Sequence, residues 1–138
     1  MGRKIFRLDE AFDQGQRLTP GTIIGRTRCA QWISATNAYF YDTMVRRYLL
    51  QILFPRGAGG QPDRAVMDSA LAEMPRQFAA LEKAYATSDW LAGEFSMADL
   101  FLAPIMAYLQ RMPESSALLG QHPNQDTLLG TAEGACDY

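Results

Sequence analysis

The sequence predicts an all-α protein, built as a helical bundle, from three observations. Long stretches repeat their apolar residues at spacings of three and four, which is the pattern of one buried helix face. No stretch shows the strict apolar and polar alternation that is typical of a half-buried strand. Segments rich in glycine and proline separate the periodic stretches. We therefore expect two buried helices packed against a long one in a single domain of 138 residues.

The longest predicted helix extends from about residue 22 to residue 54 and contains no proline. A straight helix of that length would span on the order of 50 Å at ~1.5 Å per residue. Because this is long for a compact domain, we expect the helix to bend or break, and Gly25 is its weak point. Its apolar side chains form one stripe: Cys29, Trp32, Ile33, Phe40, Met44, Tyr48, Ile52 and Leu53. Upstream, residues 4–12 predict a short amphipathic helix, and residues 14–21 a linker.

A loop is predicted over residues 55–62, where glycine and proline are dense. Asp63 is a plausible N-cap for a helix over residues 64–86. Pro75 lies inside that helix and should kink it, because the proline ring displaces the carbonyl four residues earlier.

The third predicted helix covers residues 97–110 and is apolar nearly all round, which predicts a helix buried on every side. Pro104 interrupts it. After Pro113 the chain contains no lysine or arginine, and we expect only one short helical turn, at Leu118 and Leu119. Beyond Asn124 the tail has no amphipathic period, which predicts an irregular segment.

The start of the third helix carries the most specific pattern of the chain. Ser96 is a good N-cap, and Asp99, three residues later, can accept a hydrogen bond from the Ser96 amide and face the positive end of the helix dipole. Phe95 and Leu100 occupy the two positions of a hydrophobic staple. Gly93, just upstream, allows a sharp turn. This pattern predicts a structural capping box, which stabilises the fold and takes no part in catalysis.

Composition excludes several function classes. The net charge of −2 gives no basic face for nucleic acid, so we expect no nucleic-acid partner. No segment approaches the roughly 18 uninterrupted apolar residues of a membrane span, so we expect no membrane insertion. Cys29 and Cys136 match no metal spacing and make no disulfide framework, which favours a reducing cytoplasm.

Candidates for catalysis are few, and we assign no catalytic residue and no metal ligand. His122 lies beside Pro123 in a predicted turn, where a surface or capping role is favoured. Ser115 resembles part of a helix start, since no base accompanies it. The pair Arg46 and Arg47 could bind an anion, although paired basic residues on a long helix are usually its solvated face.

Two tyrosines on the long helix suggest a binding site. Tyr39 and Tyr41 are two residues apart, so they flank the apolar stripe on opposite sides. Their phenols could line a pocket for a flat apolar ligand, with each hydroxyl orienting a polar group. Packing in an interface or at the edge of the core is the alternative interpretation of both side chains.

The run from residue 4 to residue 124 resembles a bacterial-type glutathione S-transferase, from the end of its thioredoxin-like half onward. The segment Trp90-Leu-Ala-Gly93 with Ser96-Met-Ala-Asp99 carries the resemblance most specifically. Weaker matches follow the family order: Phe6–Phe12, Leu18-Thr-Pro20, Gln31–Asn37 and Ala103-Pro104. The resemblance implies three parts. Residues 1–21 are a remnant of the thioredoxin-like domain and linker, 22–124 form the helical domain, and 125–138 form the tail.

What the resemblance implies for function follows from the roles of the two halves. The helical half shapes the electrophile site, so Tyr39, Tyr41 and Met44 would face a hydrophobic electrophile, and Tyr41 could also reach glutathione, the co-substrate. Ser96 and Asp99 would be structural. A homodimer through the long first helix is expected. Because the catalytic thioredoxin-like half is missing from the match, we expect little or no activity from the isolated chain.

A second hypothesis treats the chain as a non-catalytic helical module, derived from the same family, that binds an apolar ligand or another protein. An open pocket of polar and aromatic side chains beside Tyr39 and Tyr41 would favour the first hypothesis. A broad apolar patch that includes Ile5, Phe6 and Trp32 would favour the second, because monomers rarely expose such patches.

Overall fold

The computed structural model describes residues 17–125. These residues form four helices and contain no strand, so the predicted all-α class is confirmed. The helix predicted at residues 4–12 and the tail from residue 126 onward lie outside the described residues. We name the helices α1 to α4 in chain order.

Helix α1 is continuous and has three consecutive segments. Its bounds are Ile23–Ala35 (α-helical), Thr36–Leu49 (π-helical) and Leu50–Leu53 (α-helical). Of the expected bend or break, the break is therefore wrong. In place of a break, the hydrogen bonding widens to the i→i+5 pattern, as where the Leu50 N–H donates to the carbonyl of Val45. The buried positions Thr36, Phe40, Met44 and Tyr48 recur every four residues, and the wider turn keeps them on one face.

Gly25 is a packing requirement at the start of α1, not a weak point. Thr22 caps the helix, because its hydroxyl accepts a hydrogen bond from the Gly25 N–H at 3.0 Å. Gly25 is buried, and a Cβ at this position would lie 2.7 Å from the Cβ of Pro20. Glycine therefore lets the linker cross the helix closely.

Helix α2 is Arg64–Tyr85, close to its predicted bounds. Asp63 is the N-cap, and its carboxylate accepts a hydrogen bond from the Val66 N–H at 3.2 Å. Pro75 lies within the helix without ending it. The buried face of α2 is Met67, Ala70, Met74, Gln77, Phe78, Leu81 and Tyr85.

Helix α3 is Met97–Arg111, and it is not buried on every side. Leu100, Pro104 and Tyr108 form an exposed stripe along the helix, with Tyr108 48% exposed. These positions are four residues apart, so they share one face that no described element covers. The prediction of burial all round is wrong for this stripe, because apolar composition alone does not show which face meets a neighbour.

Helix α4 is Pro113–Leu119, longer than the single turn that the sequence predicts. Pro113 stands at its first turn, where the missing N–H costs nothing. Ser115 is buried, and its hydroxyl donates to the carbonyl of Leu109 at 2.6 Å. The Ser115 N–H donates to the hydroxyl of Tyr48 at 3.3 Å, which ties α4 to α1.

The core lies where α2 and α3 pack against the π-helical segment of α1. Its largest fully buried apolar side chains come from all three helices: Met44, Tyr48, Met74, Phe78, Leu81, Leu102, Met106 and Leu109. Loop 55–62 connects α1 to α2, and Gly59 and Gly60 adopt positive φ there. This arrangement leaves both sides of the π-helical segment accessible beside the core.

Candidate functional site

The three residues predicted to face an electrophile do not share one pocket in the described structure. Tyr39 is 64% exposed and Tyr41 is 43% exposed, and they lie on different sides of α1. Met44 is fully buried and belongs to the core. Met44 therefore reaches no open surface, whereas each tyrosine lies beside a separate groove.

The groove beside Tyr39 lies between α1 and α2 and has a volume of about 320 Å³. We call it the Tyr39 groove. Its lining residues are Tyr39, Phe40, Glu73, Arg76, Gln77 and Ala80. The four residues from α2 are spaced at i, i+3, i+4 and i+7, so they belong to one helix face. The groove therefore offers a mixed surface, which combines the exposed Tyr39 and the nearly buried Phe40 of α1 with charged, amide and methyl groups of α2.

Glu73, one of the lining residues, belongs to a charged cluster that joins α1 and α2. The Arg47 guanidinium forms ion pairs with Glu73 and with Asp42, the latter at 3.0 Å, and donates to the Thr43 hydroxyl at 3.0 Å. The hydrogen bond and charge of Glu73, with a smaller contribution from Asp42, raise the pKa of Arg47. Arg76 has no ion-pair partner in the part of the chain that the structure describes.

A buried amide forms part of the groove wall. The side chain of Gln77 donates from Nε2 to the Thr43 hydroxyl at 2.9 Å, which links α2 to α1. Thr43 thus accepts from both Gln77 and Arg47. Within residues 17–125, the carbonyl oxygen of Gln77 is buried without a hydrogen-bond partner. Buried acceptors of this kind are rare in folded proteins.

The second groove lies at the end of α1 and has a volume of about 500 Å³. We call it the Phe54 groove, and it is lined by Arg46, Leu50, Gln51, Phe54 and Arg56. Tyr41 lies next to it, because the Arg46 guanidinium is 6.0 Å from the centre of the Tyr41 ring. This distance suits a cation–π contact, which holds Tyr41 against its own helix.

Ser96 and Asp99 form a capping box at the start of α3. The Ser96 N–H donates to Asp99 Oδ2 at 3.1 Å, and the Ser96 hydroxyl accepts from the Ala98 N–H at 3.3 Å. Asp99 also accepts from the Leu91 N–H at 3.1 Å and from the Tyr85 hydroxyl at 3.4 Å. One fully buried carboxylate thus joins α2, the following loop and α3.

Burial controls the protonation of this cluster. Desolvation raises the pKa of Asp99, although the hydrogen bonds from Leu91 and Ser96 act in the opposite direction. Burial also raises the pKa of Tyr85, and the Asp99 charge adds to that shift. The pair is thus a structural junction between α2 and α3, and neither residue lines the Tyr39 groove or the Phe54 groove.

The remaining sequence candidates have structural surroundings. The His122 ring makes an edge contact with Phe78, with ring centres 6.0 Å apart, and the backbone N–H of His122 donates to the Leu119 carbonyl at 2.8 Å. Across residues 17–125, no three metal-ligating side chains come together. Among the helices described, none combines the length and apolar character that a membrane crossing requires.

Arg76, Gln77 and Ala80, which line the α2 side of the Tyr39 groove, were not predicted from the sequence. Gln77 could have been noticed, because it is a polar residue within the apolar stripe of α2, next to Phe78. The pairing of that stripe with Tyr39 depends on how α1 and α2 pack, and one sequence does not give this.

Comparisons with known proteins agree with this architecture. The family model described as "Glutathione S-transferase, C-terminal domain" matches residues 39–130, which is about two thirds of the chain. A comparison with curated protein sequences found no match.

Two solved structures are similar over nearly the whole chain. Apo glutathione S-transferase III is 26% identical with a TM-score of 0.74, covering 95% of this chain and 61% of that one. Glutathione transferase F7 from Populus trichocarpa is 19% identical with a TM-score of 0.76, covering 100% of this chain and 64% of that one, and shows the fold alone. The chain thus spans less than two thirds of either protein. The extent of the family match shows that the chain belongs to the glutathione S-transferase C-terminal domain family.

Proposed function

We propose that this chain is the electrophile-binding part of a glutathione transferase, which conjugates glutathione to hydrophobic electrophiles. The observation that carries the proposal is the open Tyr39 groove on α1 of a chain in this family. Its volume lies at the lower end of the range of small-molecule pockets, roughly 300–1,000 Å³. Tyr39 supplies an exposed ring for a flat electrophile, Phe40 adds the small accessible part of a nearly buried ring, and the Tyr39 hydroxyl can orient a polar substituent.

Of the three residues predicted for the electrophile, we retain Tyr39 as a direct contact. Tyr41 lies against Arg46, a lining residue of the Phe54 groove, where a partner segment could reach it. Met44 supports the site from the core, because it is buried beneath the same segment of α1. Ser96 and Asp99 serve the fold.

Activation of glutathione is assigned to the thioredoxin-like half, as the resemblance implies. An unperturbed thiol with a pKa of about 8.5 is only a few per cent thiolate at neutral pH. The family match of this chain lies in the C-terminal domain. We therefore propose that glutathione binds elsewhere than in residues 17–125, and that these residues place the electrophile.

The isolated chain is expected to conjugate glutathione to an aromatic halide at a rate close to that of the reaction without protein. Calorimetric titration with millimolar glutathione is expected to give no saturable heat. Both results follow if this chain holds the electrophile but does not ionise the thiol. Substantial turnover, or saturable binding of glutathione alone, would contradict this division of roles.

The second candidate function is a non-catalytic interaction module. Ile23 and Ile24, at the start of α1, are 74% and 66% exposed, which favours contact with another protein surface there. Ile5 and Phe6, part of the patch expected for this function, lie outside the described residues. Trp32 is half-buried with its ring centre 6.3 Å from that of Phe40, so it belongs mainly to the core edge.

A homodimer through α1 and a cytoplasmic location complete the proposal. Helix α1 exposes Tyr41 and Arg46 on the side away from the Tyr39 groove, and this side could meet a second copy without blocking that groove. Cys29 is a free, buried thiol, which is compatible with a reducing compartment. Sedimentation equilibrium tests the homodimer, and a chain that stays monomeric at all concentrations would contradict it.

A further inference from the structure

We propose that Arg76 makes the Tyr39 groove selective for aromatic ligands that carry a carboxylate. The inference rests on the proposed function, because it specifies which electrophiles that groove accepts. It follows from the charges of the groove wall and from the positions of its aromatic and methyl groups.

The two charged residues of α2 in the groove, Glu73 and Arg76, do not pair with each other. Glu73 and Arg76 are three residues apart on one helix face, a spacing at which opposite charges commonly pair. In this structure Glu73 pairs with Arg47 of α1, and Arg76 has no ion-pair partner among the described residues. The carboxylate of the groove is thus already occupied, and its second arginine is available to a ligand.

Arg47, the partner of Glu73, is itself held in place by several contacts. Arg47 is fixed by Asp42, by the Thr43 hydroxyl and by Glu73, and it is only 27% exposed. Thr43 is in turn held by the buried amide of Gln77. Arg47 is thus held on its own helix in position to pair with Glu73, and Glu73 can turn toward Arg76 only by giving up this ion pair.

The groove places a positive charge close to apolar groups, which suits an aromatic ligand with a carboxylate. Arg76 and Ala80 are one helical turn apart on α2, so the groove has a cationic position next to a methyl group. Tyr39 and Phe40 provide the opposite wall. A planar aromatic acid can place its ring between these walls and its carboxylate on Arg76, whose planar fork matches a carboxylate with two hydrogen bonds.

The test compares 2-naphthoate with 2-naphthamide, which share a ring system and differ mainly in charge at pH 7. We expect the purified chain to bind naphthoate about fivefold more tightly, the upper range for an ion pair open to solvent. Arg76→Gln should abolish this preference and leave naphthamide binding unchanged. Arg76→Lys should keep part of it. Arg111→Gln, an exposed arginine on α3 outside the groove, is the matched control and should change neither affinity.

The outcomes separate this inference from the proposed function. If naphthamide binds in a Tyr39-dependent way but naphthoate binds no more tightly, the selectivity is refuted and the electrophile groove stands. If naphthoate is preferred equally by Arg76→Gln, another cation is responsible and the inference is wrong. If neither ligand binds the wild-type chain, both proposals fail. Because Arg76 is exposed, its variants should fold, and circular dichroism checks this.

Discussion

Replacement of Asp99 by alanine is expected to lower the free energy of unfolding by about 3 kcal/mol, more than most single substitutions. The carboxylate accepts hydrogen bonds from the Ser96 and Leu91 amides and from the Tyr85 hydroxyl, all in buried surroundings. Its removal leaves these donors without a partner, which costs more than losing a solvated bond. Urea unfolding followed by circular dichroism measures the loss.

Two comparisons make the Asp99 prediction specific. Ser96→Ala removes only the N-cap oxygen and should cost about 1 kcal/mol. Glu94→Ala, at an exposed position two residues before the cap, should cost less than that. An Asp99→Ala variant as stable as Glu94→Ala would show that the buried carboxylate does not hold the junction.

The sign of the pH effect at Asp99 identifies what stabilises the junction. Burial raises the pKa of Asp99, so the folded state binds a proton at this carboxyl more readily than the unfolded state. Its titration therefore favours folding most below the unfolded pKa, and this contribution is lost as the pH rises through the folded pKa. At neutral pH the hydrogen bonds, not the charge itself, make Asp99 stabilising.

Replacement of Met44 by alanine is expected to lower the free energy of unfolding by about 3 kcal/mol, because it empties space in a closed core. Tyr39→Ala, on the same segment but 64% exposed, should cost less than about 1 kcal/mol. Thermal and urea unfolding of the two variants distinguish a core role from a site role. If Met44→Ala kept full stability and lost ligand binding, Met44 would contact the ligand and the placement in the core would be wrong.

Much of the fold could be predicted because helical periodicity and capping are local. Asp63, Ser96 and Asp99 mark helix starts through residues a few positions apart, so the sequence alone locates the start of α2 and of α3. The π-helical segment of α1 was not predictable, since mixed spacings of three and four fit an α-helix equally well. The exposed stripe of α3 was not predictable either. Leu100 and Tyr108 are apolar, and only the packing of the helices determines that they stay uncovered.

The site was only half predictable for the same physical reason. Tyr39 and Tyr41 could be placed on opposite flanks of α1 from their spacing, and in the structure Tyr39 lines a groove while Tyr41 contacts Arg46. Met44 belonged to the apolar stripe by its spacing, and its expected place in the site came from the family resemblance, whereas the structure buries it in the core. The position of Arg76 in the groove depends on how α1 and α2 pack. Arg76 is left without an ion-pair partner among the described residues because Glu73 pairs with Arg47, which lies 26 residues away in sequence.

The most direct test of the central claim is a map of amide chemical shifts in the isotope-labelled chain during titration with 2-naphthamide. The account predicts saturable shifts centred on Tyr39, Gln77 and Ala80, which Tyr39→Ala weakens and Tyr41→Ala leaves intact. Shifts centred on Phe54 and Arg56, or no saturable shifts at all, would contradict the assignment of the Tyr39 groove as the electrophile site.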